Sequence, residues 1–373
     1  MKNPADAAEG AVVGTPTPAD LADAAALAES ELLLDASTSA REVALAELRR
    51  LLGAWLTHEP GARLGHDPEE LHQLRVTARR IDAILGLFKR QLPPALLRAR
   101  KTTKSVLRSL GAARDLDVQL SELDHYCGHL PEHERLAAAP LRERLESERE
   151  RVRARMIRAL DSEATRRWLE TLTLAVAEPS GANGADRAML VVPERVRRRF
   201  RKLRKSVDRL RGKSSMEDYH QVRRRAKQLR YATECGALMF GKPADEMLKA
   251  LRRLQDRLGA HQDAYMAQKR LAAIAADPAS GLPPATLFLM GRLAEQQAQI
   301  TAQARATLTR SWRKVRGRRW RALRERLGEL SEAASLQGEL AATQAPDDAA
   351  TTPAQVTHAA GHPPVAEFRP VKH

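Results

Sequence analysis

The chain has 373 residues, with 63 Lys and Arg against 47 Asp and Glu, a net charge of +16. Hydrophobic residues make up 43%, enough for sizeable cores and too many for a disordered polymer. Two cysteines, Cys127 and Cys235, exclude a disulfide framework and a cysteine zinc ribbon, and fit a reducing compartment.

Residues 1–40 hold seven carboxylates and one lysine, so this segment is acidic and reads as partly flexible. It has no basic stretch followed by an apolar run, and no stretch of the chain approaches a membrane span. A cytoplasmic protein that does not contact membrane is expected.

Helical periodicity is firm from Arg41 to Leu56, and Pro60, Gly61 and Gly65 predict a loop. Asp67-Pro68-Glu69-Glu70 predicts a helix start: an N-cap, a proline at the first helical position, and carboxylates near the positive end of the dipole. That helix is expected to run to about Gln91, before Pro93-Pro94. Gly111 and the stretch from Gly128 to Pro131 predict further breaks, and charged helices cover about 132–177. Pro179 to Gly184 is a cluster of turn formers and predicts a linker over 179–188. Helices are expected again at about 190–213, 216–240, 244–276 and 284–330, and residues 331–373 read as a disordered tail. Scarce aromatics and the absence of sustained period-two alternation predict an all-α fold.

The flanks total −6 and −3, so residues 41–330 carry +25. This core repeats itself. Leu71-His72-Gln73-Leu74-Arg75 with Ala78-Arg79 returns as Tyr219-His220-Gln221-Val222-Arg223 with Ala226-Lys227, offset by 148. Leu110-Gly111-Ala112 with Asp115 returns as Leu258-Gly259-Ala260 with Asp263 in the same register, and Arg49-Arg50 map onto Arg197-Arg198. Separated matches at one offset predict an internal duplication, with halves at 41–178 and 189–330 related by pseudo-two-fold symmetry.

On a helix advancing 100° per residue, Arg75 lies about 60° and Arg79 about 20° from His72, opposite Leu74, Ala78 and Ile81. The second copy repeats the stripe with His220, Arg223 and Lys227, and places Arg224 beside it. A forked guanidinium, a compact ammonium and an imidazole whose pKa an anion raises suit a chain of phosphates. A solvated basic face is the bland alternative, weakened by the repetition. Further candidates are Lys101, Lys104 and Arg108, with Lys249 and Arg252 as counterparts of the first two. The repeat-matched Arg49, Arg50, Arg197 and Arg198 join them, as do Arg80 and Arg230. Eleven basic residues crowd 195–213, of which only the repeat-matched ones are taken as site candidates.

The run Asp67 to Val76 with Ala78-Arg79-Arg80 closely resembles the signature of CHAD domains, the conserved-histidine α-helical family. Leu110 to Val118, His220 to Tyr231 and Leu258 to Asp263 resemble its other motifs. The resemblance covers about 41–330. It implies two pseudo-symmetric four-helix bundles with long helices around a basic central groove or pore, binding inorganic polyphosphate through the positions above, often on polyphosphate granules. Where the family often continues Arg-Arg-Leu-Arg, this chain has Arg79-Arg80-Ile81-Asp82, which places Asp82 within reach of Arg79 for an ion pair. The Glu-x-Glu-x-Lys strand of the triphosphate-tunnel (CYTH) hydrolase, often fused to such domains, is missing.

No nucleophile–base pattern or phosphate-cradling glycine loop appears, so no catalytic residue and no cofactor is expected. Asp115, Asp117 and Asp263 read as ion-pair partners of neighbouring arginines before they read as metal ligands. His125, Cys127, His129 and His133 are interrupted by Gly128 and Pro131, and no metal site is expected there. Nucleic acid is the alternative partner, opposed by few stacking aromatics and no groove-reading motif. A metal-dependent polyphosphate or triphosphate hydrolase is the remaining reading.

Overall fold

The computed structural model describes residues 38–177, 186–211 and 214–343. The described residues form helices and no sheet; Ser39 and Arg187 form an isolated antiparallel bridge. The expected acidic segment and linker fall mostly outside these residues. Among them no helix is long and apolar enough to cross a membrane.

Helix α1 (Ala40–Leu64) opens on a capping box: Ser39 Oγ accepts from the Glu42 N–H at 3.1 Å, and the Glu42 carboxylate accepts from the Ser39 N–H at 2.6 Å. It runs through the exposed Pro60, where a loop was expected, and stops at Gly65 with φ 74°. A proline on the solvent side leaves its unpaired carbonyl to water, so helix interruption is not forced.

Helix α2 (Pro68–Leu87) is capped by Asp67, whose Oδ1 accepts from the Glu69 N–H at 2.8 Å. It ends before the expected Gln91. Helix α3 (Pro94–Cys127) passes unbroken through Gly111, contrary to expectation. The charged stretch divides into α4 (Glu132–Leu136), α5 (Ala139–Leu160) and α6 (Glu163–Ala177).

Helix α7 (Ala188–Val207) carries the basic run, and α8 (Met216–Cys235) starts at a Ser215–Asp218 capping box. The short α9 (Ala237–Phe240) leads into α10 (Lys242–Ala275). Helix α11 (Pro284–Lys314) joins α12 (Trp320–Thr343) through a π turn, where Gly317 leaves helical geometry at ψ −132°. Helix α12 passes the tail boundary expected at 330, because Leu330 and Ala334 are buried in the core.

The ends of these helices follow the sequence offset. Helices α2 and α8 each have 20 residues, and α3 and α10 each have 34, with starts and ends displaced by 148. Helix α2 packs on α1 and α3, α8 packs on α7 and α10, and α2 meets α8 directly. Apolar side chains from both halves form one buried cluster. Within it Trp55 and Trp168 pack edge to face with centroids 4.9 Å apart, and the Trp168 indole donates to Thr103 Oγ1 at 2.8 Å. Leu74 and Ile81, Val222 and Leu229 face this core, so the opposite faces of α2 and α8 are left for the cations.

Candidate functional site

The contact between α2 and α8 brings the two stripes together. His72, Arg75 and Arg79 from α2 and His220 and Arg223 from α8 line one cleft of about 920 Å³. Arg79 also lines a second cleft of about 880 Å³, with Lys227, Arg224 and Arg198 in its wall. Arg224 continues into a third cleft of about 470 Å³ between α7 and α8, bordered by Lys and Arg with two glutamines and no acid. The three clefts share walls at Arg79 and at Arg224, so the cations form a continuous track.

The repeated glycines lie beside the two stripe arginines. A Cβ on Gly111 would lie 3.4 Å from Arg75 Nε, and one on Gly259 would lie 3.9 Å from Arg223 Nη2. Both are ordinary van der Waals distances, so each guanidinium packs beside the glycine turn of the neighbouring long helix without requiring a glycine there, and the aspartate one turn later lies near it. Arg75 Nη2 is 3.9 Å from Asp115 Oδ1. Asp263 and Arg223 act on one another in the same way. The Nε atoms of both arginines are buried without a hydrogen-bond partner, an unmet donor on each side of the cleft.

Burial sets the electrostatics. Burial and then Arg79 push the Arg75 guanidinium down to about 10, which leaves it charged at neutral pH. Burial lowers Arg223 too, while Asp263 partly restores it. His72 is lowered by burial and then by Arg114. Asp263 is raised by burial, against the pull of Arg223 and Lys227. Seven Arg and Lys side chains thus share the partly dehydrated wall of the first cleft with four carboxylates, Asp115, Glu122, Glu148 and Asp263, a net positive arrangement that a polyanion relieves.

The other candidates lie apart from these clefts. Arg49 donates to the Val176 carbonyl at 2.6 Å, and Arg197 lies 3.3 Å from Ser331 Oγ. Arg50 pairs with Glu47 at 2.7 Å. Arg80 and Arg230 share Glu234, at 3.6 and 3.4 Å. Lys101, Lys104 and Arg108 are exposed on α3; on α10, Lys249 pairs with Glu246 at 3.3 Å and Arg252 is exposed. Asp82 bonds Arg100 at 2.7 Å rather than Arg79, because Arg100 approaches from α3. Arg79 is therefore left to the clefts.

Several lining cations were not expected. Arg114, Arg144, Lys269 and Arg270 border the first cleft, and Arg195, Arg199 and Lys202 the second. On α7 the signal was present: Arg195, Arg198, Arg199 and Lys202 follow the spacing of one helical face. Of the other four, Arg114, Lys269 and Arg270 have no basic residue at the 148 offset to mark them, and Arg144 recurs only as an isolated match at Arg292. Asp117 is buried and bonds Arg149 at 2.6 Å. His125 and His129 stack edge to face with centroids 4.8 Å apart. Among the described residues no group of three His, Cys, Asp or Glu is arranged to hold a metal ion.

A family model described as the CHAD domain matches residues 46–272. Two curated Mycobacterium tuberculosis proteins, "Uncharacterized protein Rv2226" and "Uncharacterized protein MT2285", are each 30% identical over 258 residues. The match covers 64% of this chain and 47% of theirs, so the chain spans about half the length of these relatives. Among solved structures, the CHAD domain from the plant Ricinus communis superposes with a TM-score of 0.56 at 25% identity, covering 80% of this chain and 94% of that one. PptA from Streptomyces chartreusis gives 0.58 at 20% identity, covering 74% and 100%, and shares the fold.

Proposed function

The chain belongs to the CHAD-domain family, and from that premise we propose that it binds inorganic polyphosphate, without catalysis, along the track through its clefts. One observation carries this reading. Two stripes 148 residues apart in sequence converge on one open cleft, each with an arginine whose buried Nε lacks a partner. A linear chain of phosphates presents acceptor oxygens at every unit, so it satisfies both arginines at once. The equal lengths and common offset of α2 with α8 and of α3 with α10 support a duplicated unit as the origin of this symmetry. Attachment to polyphosphate granules follows from the same surface.

The first cleft has no Phe, Tyr or Trp in its lining, and Tyr231 is the one such residue lining the second. This disfavours stacked bases as the ligand. Polyphosphate is therefore expected to displace bound single- or double-stranded DNA in a fluorescence competition. Its affinity is expected to fall steeply as salt rises. DNA that resists excess polyphosphate would contradict the assignment. Titration with chains of defined length is expected to give an affinity that rises with length and levels off at the span of the track.

A further inference from the structure

At the waist where the first two clefts meet, repeat-equivalent cations face one another. Arg79 of α2 lines both clefts, and its counterpart Lys227 of α8 lines the second. Arg75 and Arg223, a second equivalent pair, complete the cluster. From α7, Arg199 and Lys202 border the same cleft, as does Arg224 from α8, and Asp263 of α10 is the acid that acts on Lys227. Asp115 of α3 lies by Arg75. One position in the symmetric set differs in kind. Arginine keeps its charge in any protein setting, whereas a lysine discharges when burial and like charges demand it.

We propose that a polyphosphate chain passing this waist binds together with one proton, which Lys227 Nζ holds. The inference rests on the polyphosphate reading of the cleft. In the empty protein, burial first and then Arg79, Arg223 and Arg75 push the Lys227 ammonium down to about 6. The amine is then largely neutral at pH 7 and above. An entering phosphate adds negative charge beside it and restores the charged form, by uptake of a proton from solvent onto the free amine. The protein thus keeps one cation in reserve. The empty waist avoids a fourth adjacent positive charge, and the occupied waist gains one.

The linkage has a definite sign. The complex binds a proton that the free protein lacks, so affinity falls as pH rises between the free and bound pKa values. One proton per site corresponds to about tenfold in affinity per pH unit. Calorimetric titration of the full chain with polyphosphate at pH 8, in buffers of different ionisation enthalpy, counts the protons directly. The wild type is expected to take up close to one per bound site, and its affinity to weaken several-fold between pH 7 and 8. Lys227→Arg is expected to lose that uptake and to bind with an affinity flat over the same range. It leaves the histidines and the terminal phosphates in place, so their protons cancel in the comparison.

Wild-type binding without proton uptake would overturn the inference and leave the site assignment standing. Equal uptake in Lys227→Arg would overturn it too. Absence of binding at both pH 6.5 and pH 8 would overturn the site assignment and the inference together. A wild-type count of zero overturns the inference even if the variant fails to fold, and Lys227→Met then supplies the comparison for a positive count.

Discussion

His261 shows how a single side chain links burial to pH. It is 2% exposed, stacks near Tyr219, and accepts from Arg305 Nε at 2.9 Å through its Nε2. That bond leaves the proton on Nδ1, which is buried without a partner. Burial and the Arg305 charge push the imidazole down to about 4. The unfolded chain takes up its proton near pH 6.5, whereas the folded chain refuses it down to about 4. Stability is therefore lost as pH falls through that window. Urea midpoints measured from pH 7 to pH 4 are expected to fall less steeply for His261→Gln than for the wild type. An identical slope would remove His261 from the acid response. Histidines were read in the sequence as phosphate ligands only when they lay on the repeated stripe, and the pairing of His261 with Arg305 of α11 depends on packing that no local pattern reveals.

At the scale of elements, the long helices were legible from periodicity and caps, while their continuity was not. Gly111 reads as a helix breaker in isolation, yet α3 runs through it. The helix tolerates the conformational cost of glycine, about 1 kcal/mol, because neighbouring turns are fixed by tertiary packing. Arg75 packs beside this turn at ordinary contact distance. Pro60 was misleading for a related reason: it lies on the exposed side of α1, where one missing backbone bond does not end the helix. Asp82 was expected against Arg79 from spacing within α2, but Arg100 of α3 reaches it first. Contacts between helices overrule contacts along one helix when the partner arrives with a better angle.

The α3–α5 seam provides a test at this scale. Asp117 is 5% exposed and pairs with Arg149, itself 29% exposed. Removing the carboxylate leaves a partly buried guanidinium without its partner, and a fully buried pair would cost 3–5 kcal/mol on such a change. The partial exposure of Arg149 reduces this, so Asp117→Ala is expected to lower unfolding free energy by roughly 1–3 kcal/mol. Chemical denaturation measures it, and an unchanged midpoint would show that the pair carries no net stability.

At the scale of the molecule, net charge alone understated the signal. The acidic flanks mask a core of +25, and the fold concentrates part of that charge along one track. The sequence offset identified which His and Arg residues recur, and α2 against α8 brings those stripes into one cleft. The same offset also selected Arg49 and Arg197, which instead bind the Val176 carbonyl and approach the Ser331 hydroxyl. Symmetry in sequence therefore marks positions that recur in the fold, and a subset of these line the clefts. Residues whose repeat position carries no charge, such as Arg114 and Lys269, become visible only when the helices are assembled.

The central claim is that the two stripes form one polyphosphate site. Its most direct test is calorimetric titration of His72→Ala/Arg75→Ala/His220→Ala/Arg223→Ala with polyphosphate, with helicity checked by circular dichroism. Two charge-assisted contacts worth about 1.5–3 kcal/mol each predict a loss of at least about a hundredfold in affinity with the helical signal intact. Wild-type affinity in this variant would mean that the cleft between α2 and α8 is a solvated basic face and that polyphosphate is not bound there.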